Sequence, residues 1–441
     1  MSFPFTITEH LIDAQYIREY PRATTIQNAP LKLCIKQYTP FDNPEPQPGD
    51  LTIVAAHGTG FAKELYEPLW EELYARSKKE GFRIRSIWIA DAANQGASGI
   101  HNENYLGNDP SWTDHSRDML LMINQFRDKM PRPIMGVGHS VGGTQLVLLS
   151  VIHPRLFTSL LLVEPYIIDS SLDGNGPHLV FMTAKKRDTW PSRAAAAEKA
   201  RKYLRFWDPR VLDRFARWGY RDIPTVTHPQ ESQTIDSGRP VTLATTKYQE
   251  AMMYTRANPR RHQQLGLPDE HNKSENDGPS PPHDPLFFPD ILGGLLPNQR
   301  AYRPEPILAG RVLPYLRPSV LFLCGAQSPL SKSGAHVRMA KRTGTDFGGS
   351  GGMNHGRVRH LSIEKAGHTL PLEKVSETAE ELGPWIKQEL QQWKEDERRI
   401  AEGWEGLSTR ERSMFSNDWK RVVAETMNEP AIEKLSKLSK L

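Results

Sequence analysis

A serine between two glycines stands where an apolar run meets a stretch with helical spacing. Residues 138–142 are Gly-His-Ser-Val-Gly, with apolar residues before them from Ile134 and small and apolar residues after them to Ile152. The pattern G-x-S-x-G is typical of a sharp strand-to-helix turn, in which small neighbours make room for a strained serine backbone and expose its hydroxyl. A dinucleotide-binding turn would need a glycine at position 141, which is valine. The sequence therefore predicts that Ser140 is a nucleophile.

A nucleophilic serine needs a general base, and the chain offers 15 histidines. His368 follows the last strand-like run, in the segment 365–373, Lys-Ala-Gly-His-Thr-Leu-Pro-Leu-Glu. The glycine permits a turn, and the proline-containing apolar run can begin a helix, so the imidazole would lie in a loop at the edge of a sheet. A neutral imidazole in that place can take the serine proton. We therefore predict that His368 is the base and that most other histidines are surface residues.

The acid that would orient this imidazole is less obvious. Its usual place is a Gly-x-x-Asp turn after the penultimate strand, but the chain has Ser328 there, which carries no charge. Glu164 ends the strand-like run before that one, and a carboxylate at the end of an apolar strand is costly unless it has a partner. Asp169 and Asp346 lie in less constrained segments. We predict that Glu164 orients His368; capping of an adjacent chain or pairing with an arginine is the alternative.

The elements that must position these residues follow from the order of apolar and polar runs. Short apolar runs alternate with amphipathic stretches in the first part of the chain and return near its end, which predicts a mostly parallel, doubly wound α/β sheet. A loop is expected at 92–109. In the middle of the chain, the pattern predicts three helices, at 192–207, 209–219 and 243–256. A polar loop is predicted at 271–285. The predicted division has three parts. Residues 1–165 and 318–392 form the core, residues 166–317 form an inserted helical lid, and residues 393–441 form a charged helical tail.

Composition and charge narrow the class of protein. The chain has 441 residues, of which 38% are hydrophobic, so it can bury a large core. A net charge of +4 with interspersed acids and bases argues against nucleic-acid binding. Cys34 and Cys324 lie far apart in apolar runs, which indicates reduced core residues. Neither a secretory signal nor an apolar run of membrane-spanning length is evident, so we expect a soluble, intracellular protein.

Three stretches of the sequence resemble the fungal α/β-hydrolases. They are Gly-His-Ser-Val-Gly-Gly at 138–143, Trp-Thr-Asp-His-Ser-Arg-Asp at 112–118 and Ala-Gly-His at 366–368. This superfamily includes the yeast peroxisomal lipase and hydrolases of host-selective toxin biosynthesis, and the similarity covers about residues 30–392. The resemblance implies an α/β-hydrolase fold, and an oxyanion hole formed by the backbone N–H groups of Val141 and of Thr59, which stands in the turn at 57–60. The serine at position 328 departs from the commonest superfamily pattern.

Together these features predict a serine hydrolase that cleaves an ester or thioester of an apolar acid and needs neither a metal nor a cofactor. An acyl-CoA thioesterase or a C–C bond hydrolase would use the same residues, and a binding protein that has lost its activity would explain the absent aspartate. The toxin-cluster resemblance favours a role in fungal secondary metabolism. Aromatic residues of the insertion favour a pocket for a small apolar acyl substrate.

The C-terminal tripeptide Ser439-Lys440-Leu441 has the form of a peroxisomal address. A chance end to the repetitive KLSKLSKL sequence is the alternative. We expect a protein of the peroxisomal matrix that binds an import receptor through this tripeptide.

Overall fold

The computed structural model describes residues 3–169, 176–229, 239–257, 286–290 and 301–426. Its largest feature is a sheet of eight strands: β1 (Phe5–Asp13), β2 (Lys32–Pro40), β3 (Leu51–Ala56), β4 (Ile84–Ala90), β5 (Ile134–His139), β6 (Ser159–Val163), β7 (Ser319–Gly325) and β8 (Val358–Ile363). Their order across the sheet is β1-β2-β4-β3-β5-β6-β7-β8. β2 pairs antiparallel with β1 and β4, and the other pairs are parallel. The predicted mostly parallel, doubly wound sheet is confirmed.

The central strands are buried on both faces. Every residue of β3, β5, β6 and β7 is buried. Because successive side chains of a strand point to opposite faces, Val54 joins one apolar cluster while Ile53 and Ala55 join the other. This double covering explains why the strands read as continuous apolar runs. Burial of each large aliphatic side chain contributes about 1.5–3 kcal/mol, so the sheet is a rigid frame for the loops at its carboxyl ends.

The helices that follow the strands differ in detail from the predicted ones. The helix after β3 begins as a 3₁₀ turn, Lys63–Tyr66, and continues as the α-helix Glu67–Glu80. The prediction of a loop at 92–109 is wrong over Gly96–His101, which is helical because Asp91 at the end of β4 accepts the Ala97 N–H at 2.9 Å. The other elements of this part are Trp112–Gln125, Val141–Ile152 (the elbow helix), Pro329–Lys332, Ala335–Arg342, Leu370–Glu373, Val375–Glu402 and the 3₁₀ turns Leu313–Tyr315 and Met353–His355.

The segment between β6 and β7 leaves the sheet and returns to it, since these two strands are adjacent and parallel. Its described helices are Gly176–Ala184, Arg193–Tyr203, Pro209–Trp218, Lys247–Tyr254 and Pro304–Val312. It also contains short strands in two antiparallel sheets. In the first, Val241–Leu243 lies between Thr189–Trp190 and Tyr220–Asp222. In the second, Arg256–Ala257 pairs with Ala301–Tyr302. The three predicted helices are present with shorter bounds. The strands were not predicted, because two or three residues show no periodicity. The predicted loop at 271–285 lies outside the described residues.

Internal contacts divide the chain into two units, Met1–Leu390 and Gln391–Leu441. The predicted boundary between core and tail falls inside the helix Val375–Glu402. In the second unit a serine–glutamate capping box begins the helix Thr409–Arg412, and the helix Asn417–Thr426 follows. Within the described part of the chain, no helix combines the length and the apolar character needed to cross a membrane.

Candidate active site

Ser140 stands at the turn between β5 and the elbow helix. Its backbone has φ 54° and ψ −120°, a conformation that residues with a side chain rarely adopt. Two backbone hydrogen bonds hold it there. The Ser140 N–H donates to the Val163 carbonyl at 3.1 Å, and the Ser140 carbonyl accepts from the Tyr166 N–H at 3.1 Å. The strained turn is therefore tied to the end of β6 and to the chain that follows it.

The glycines of the turn are required by close approach of other backbone atoms. A Cβ on Gly138 would lie 2.6 Å from the Cα of Gly143, and a Cβ on Gly142 would lie 2.2 Å from the carbonyl oxygen of Ala56. Both distances are far inside van der Waals contact, and backbone atoms cannot move aside cheaply. The motif thus reflects packing of the elbow helix against the ends of β5 and β3.

A hydrogen-bonded chain joins Ser140, His368 and Glu164. Ser140 Oγ is 2.8 Å from His368 Nε2, and His368 Nδ1 is 2.9 Å from Glu164 Oε2. A carboxylate only accepts, so Nδ1 carries the proton and Nε2 is left to accept from the serine hydroxyl. The carboxylate is fully buried, whereas the His368 side chain is 36% exposed. The structure brings together the three residues that the sequence singled out, in the geometry that general-base activation of a serine requires.

Glu164 is held by the backbone on both sides. It has φ 50°, and its N–H donates to the Leu323 carbonyl of β7 at 2.9 Å. Its second carboxylate oxygen, Oε1, accepts the Gly325 N–H at 2.6 Å. Two charge-assisted hydrogen bonds therefore offset the cost of burying this charge. Of the two alternatives for Glu164, capping of an adjacent chain is present as the Gly325 contact and occurs together with the His368 contact, whereas among the described residues no arginine pairs with Glu164.

The end of β7 supplies a backbone donor, the Gly325 N–H, instead of an acid in the loop that follows. Ser328 is buried, and its Oγ accepts the Ser331 N–H at 3.2 Å as the cap of the helix Pro329–Lys332. Asp169 pairs with Arg338 and Arg342. In the described residues, neither Ser328 nor Asp169 has a hydrogen bond to His368. Asp346, the other weaker candidate, accepts the N–H of the next residue in an exposed loop.

The turn at 57–60 lies beside the elbow. Ala56 at the end of β3 is paired with Gly138, and a Cβ on Gly58 would lie 2.9 Å from Nδ1 of the residue before Ser140, so the turn that contains Thr59 is in contact with the elbow. Among the described residues, the N–H groups of Thr59 and Val141 meet no acceptor, and Thr59 Oγ1 is buried without a hydrogen-bond partner. The turn is rigid, because His57 Nδ1 donates to the Gly58 carbonyl at 2.9 Å and His57 Nε2 accepts the N–H of the residue after Asp91 at 2.9 Å. Burial lowers the pKa of His57, which keeps it neutral.

His139 and Tyr66 are two residues of the site that were not predicted from the sequence. His139 Nδ1 is 2.7 Å from the hydroxyl of Tyr66, and His139 Nε2 is 2.9 Å from the carbonyl oxygen of His368. The Tyr66 hydroxyl also accepts the Gly58 N–H at 2.8 Å. The available signal was a titratable residue directly before Ser140 in the motif, although its partners come from distant parts of the chain.

One group of potential metal ligands occurs in the described part of the chain. Ligand atoms of Glu164, Cys324 and His336 lie within 4.8 Å of one another. Both Glu164 oxygens are occupied by hydrogen bonds, and His336 Nδ1 is 3.0 Å from the Ser331 hydroxyl. Burial raises the pKa of the Cys324 thiol well above its usual range, which opposes formation of the thiolate that a metal would need. These contacts favour hydrogen bonding at this place over metal binding.

The fold, the strained serine and its hydrogen-bonded partners define an α/β-hydrolase. The alpha/beta hydrolase family matches residues 53–382, and the chain belongs to it. The resemblance predicted from the motifs is confirmed.

Several relatives within that family carry more specific names. The chain is 39% identical over 434 residues to a protein of Penicillium roqueforti named type I acyl-CoA thioesterase mpaH, with 95% of each chain covered. It is 41% identical over 418 residues to the thioesterase mpaH' of Penicillium brevicompactum, with 92% of each covered. A protein of Alternaria alternata named abhydrolase domain-containing protein AFT2-1 is 28% identical over 66% of this chain and 97% of its own.

A solved structure with the same fold is the peroxisomal α/β-hydrolase Lpx1 of Saccharomyces cerevisiae. Its TM-score to this chain is 0.63, with 96% of this chain and 97% of that one covered. The two share 16% sequence identity, so the match shows the fold alone.

Proposed function

We propose that this protein is a serine hydrolase that cleaves acyl thioesters, with acyl-coenzyme A thioesters as its substrate class. The observation that carries the proposal is the hydrogen-bonded chain from Ser140 through His368 to Glu164. The thioester class is supported by the relatives named acyl-CoA thioesterases, which are matched over nearly their whole length. A hydrolase-fold binding protein without activity would have no need to keep a strained serine hydrogen-bonded to a histidine.

In the first half of the proposed reaction, Ser140 Oγ attacks the carbonyl carbon of the thioester. Its proton passes to His368 Nε2, and the carboxylate of Glu164 stabilises the resulting imidazolium through Nδ1–H. The carbonyl oxygen becomes an oxyanion that accepts hydrogen bonds from the N–H groups of Val141 and Thr59. The C–S bond then breaks, and the leaving thiolate takes the proton from His368. The product of this half is an acyl-enzyme.

In the second half, water replaces the thiol. His368 Nε2 takes a proton from the water as the oxygen attacks the acyl carbon, and the same oxyanion contacts form again. Collapse of this intermediate breaks the bond to Ser140 Oγ, which recovers its proton from His368. The carboxylic acid leaves, and the enzyme returns to its starting state without a metal or a cofactor.

Apolar side chains lie against both neighbours of Ser140, and the inserted segment contributes to each group. Met253 packs with Trp112 and Val141 on one side. On the other side, the ring of Trp207 meets Phe61 edge-to-face at 5.6 Å, and Phe61 stacks on the ring of the residue before Ser140. Surroundings of this kind exclude water and suit an apolar acyl group.

The test combines a covalent probe with two substrate panels. A fluorophosphonate should label the parent protein and the Ser150→Ala control, which changes a serine of the same elbow helix, but not Ser140→Ala. Hydrolysis of acyl-CoA thioesters of graded chain length should fall by about six orders of magnitude in kcat in Ser140→Ala. Labelling without thioester cleavage, together with cleavage of p-nitrophenyl esters, would move the substrate class to carboxylic esters. An unlabelled, inactive parent would contradict the proposal.

For location, we propose the peroxisomal matrix. The support is the tripeptide Ser439-Lys440-Leu441, which lies outside the described residues and has the form that the import receptor binds. A fluorescent protein fused in front of the full chain should give punctate fluorescence that coincides with a peroxisomal marker. Removal of the tripeptide should make the fluorescence diffuse, and unchanged puncta would contradict the assignment.

A further inference from the structure

A second hydrogen-bonded chain runs beside the first one and touches the backbone of His368. The His368 carbonyl can only accept, so His139 Nε2 carries a proton and donates to it at 2.9 Å. His139 Nδ1 is then an acceptor, and it takes the hydrogen of the Tyr66 hydroxyl at 2.7 Å. The Tyr66 oxygen in turn accepts the Gly58 N–H at 2.8 Å. The four groups thus form one directed chain from the 57–60 turn to the loop of His368.

Burial fixes the direction of this chain. His139 and Tyr66 are 2% and 3% exposed. Desolvation lowers the pKa of His139 to about 3, helped by the nearby His368, so the ring stays neutral throughout the range in which hydrolases work. Desolvation also raises the pKa of Tyr66, which keeps its hydroxyl protonated. Neither His139 nor Tyr66 can therefore exchange its donor and acceptor roles by titration near neutral pH.

Packing fixes the position of the His139 ring as well. A Cβ on Gly58 would lie 2.9 Å from His139 Nδ1, so the 57–60 turn is in direct contact with the ring. Phe61 stacks on the ring with a centroid distance of 5.8 Å and an interplanar angle of 7°. The ring is therefore held on its face and through both nitrogens. A shift of His139 would displace the 57–60 turn and the His368 loop together.

We propose that Tyr66 and His139 are positioning residues that hold the 57–60 turn and His368 in register with each other. The inference rests on the proposed function, because its benefit lies in the tetrahedral intermediate. There His368 Nε2 must carry the serine proton while Thr59 N–H binds the oxyanion, and misplacement of either by a fraction of an ångström is costly. Neither Tyr66 nor His139 touches a reacting atom. Their effect passes through the backbones of Gly58 and His368.

Three variants separate the two links of this chain. Tyr66→Phe removes only the hydroxyl and keeps the ring. His139→Gln places an amide N–H where Nε2 stood and keeps the bond to the His368 carbonyl, whereas His139→Asn places an amide where Nδ1 stood and keeps only the bond to Tyr66. Tyr74→Phe is the matched control, since Tyr74 lies on the α-helix that directly follows Tyr66 and stands outside this hydrogen-bonded chain.

The measured quantities are kcat and KM for the acyl-CoA that the parent cleaves, divided by the fraction of sites that a fluorophosphonate titrates. Tyr66→Phe should lower kcat about tenfold with KM near the parent value, as expected for one hydrogen bond that acts mainly in the transition state. His139→Gln should resemble it, and His139→Asn should lose about a hundredfold. Tyr74→Phe should keep the parent kcat. The acidic limb of the pH profile should stay in place in all variants, because His139 is neutral there.

Other results would overturn the proposal. A parent-like kcat per titrated site in Tyr66→Phe, with a lower melting temperature alone, would mean that these residues only stabilise the fold. Equal losses in His139→Gln and His139→Asn would mean that the His368 carbonyl is not the controlling contact. Failure of the proposed function is distinguishable, since the parent protein itself would then not cleave acyl-CoA thioesters, whether or not the probe labels it.

Discussion

The loops after β6 and β7 are neighbours at the same edge of the sheet, and they contribute to the candidate site in different ways. The first supplies a side chain: Glu164, whose carboxylate reaches His368 Nδ1 at 2.9 Å. At the second, the last residue of β7 itself supplies a main-chain group, the Gly325 N–H, which donates to the same carboxylate at 2.6 Å. Ser328, in the second loop, caps the short helix that follows.

The difference shows that the position of an acid is decided by what the loops can hold. In parallel strands the carboxyl ends meet at one edge, so an acid on either strand can face the same histidine. Here the longer side chain of a glutamate, with the backbone of Glu164 at φ 50°, points the carboxylate across to the neighbouring strand end. The last residue of β7 then satisfies the second oxygen, and the loop that follows is free to begin a helix.

The largest effect expected from this comparison is that of Glu164→Gln. The amide has one oxygen, and the Gly325 N–H needs it because a backbone donor cannot change its role. The NH₂ group would then face His368 Nδ1 and force the imidazole proton onto Nε2, where it can no longer accept from Ser140. We expect kcat to fall by about four orders of magnitude with little change in melting temperature.

Glu164→Asp is the control for this variant, because it keeps the charge and shortens the side chain by one methylene. It should retain far more activity than the glutamine variant. Near-parent turnover in Glu164→Gln, measured with the same acyl-CoA, would contradict the role given to the carboxylate and leave a serine–histidine pair as the site.

A smaller effect is expected when the acid is moved from one loop to the other. In the Glu164→Gln background, Ser328→Asp should raise kcat by about tenfold or more, since a carboxylate in the loop after β7 can again favour the correct imidazole tautomer. Ser328→Asp alone is the control, and because aspartate is a good helix cap it should unfold like the parent. No recovery in the double variant would show that the loop after β7 cannot present an acid to His368.

The parts of this site that could be predicted are those with a local signal. The strained turn at Ser140 demands glycines at set positions, and His368 follows a glycine after the last strand. Glu164 was predicted from the cost of a carboxylate at the end of a buried strand, and its contacts account for that cost. Continuous apolar strands predicted the sheet, because a doubly covered sheet leaves no polar face.

The rest depends on contacts between distant residues. Tyr66 and His139 are 73 positions apart and meet only because β3 and β5 are paired in the sheet. The short strands of the inserted segment exist because they pair with each other, for example Tyr220–Asp222 with Val241–Leu243. The helix Gly96–His101 is capped by Asp91 from the end of β4. Pairings of this kind have no period or motif in the sequence.

The smallest expected effect is that of Ser328→Ala. The Ser328 Oγ accepts the Ser331 N–H at 3.2 Å and lies 3.3 Å from the Ser331 hydroxyl, so its removal leaves the first turn of the helix Pro329–Lys332 uncapped. The loss of such a cap costs about 1 kcal/mol in the free energy of unfolding. Chemical denaturation should show this change as a lower midpoint with an unchanged slope.

Turnover is the quantity that makes this last variant informative about the two loops. Glu164 takes its hydrogen bond from the Gly325 N–H, which belongs to β7 itself and does not depend on the helix that Ser328 caps. Ser328→Ala should therefore keep the parent kcat while it loses stability, the opposite of Glu164→Gln. A fall in kcat of tenfold or more at a temperature where the variant is fully folded would show that the capped helix also positions the acid, and that the two loops act as one unit.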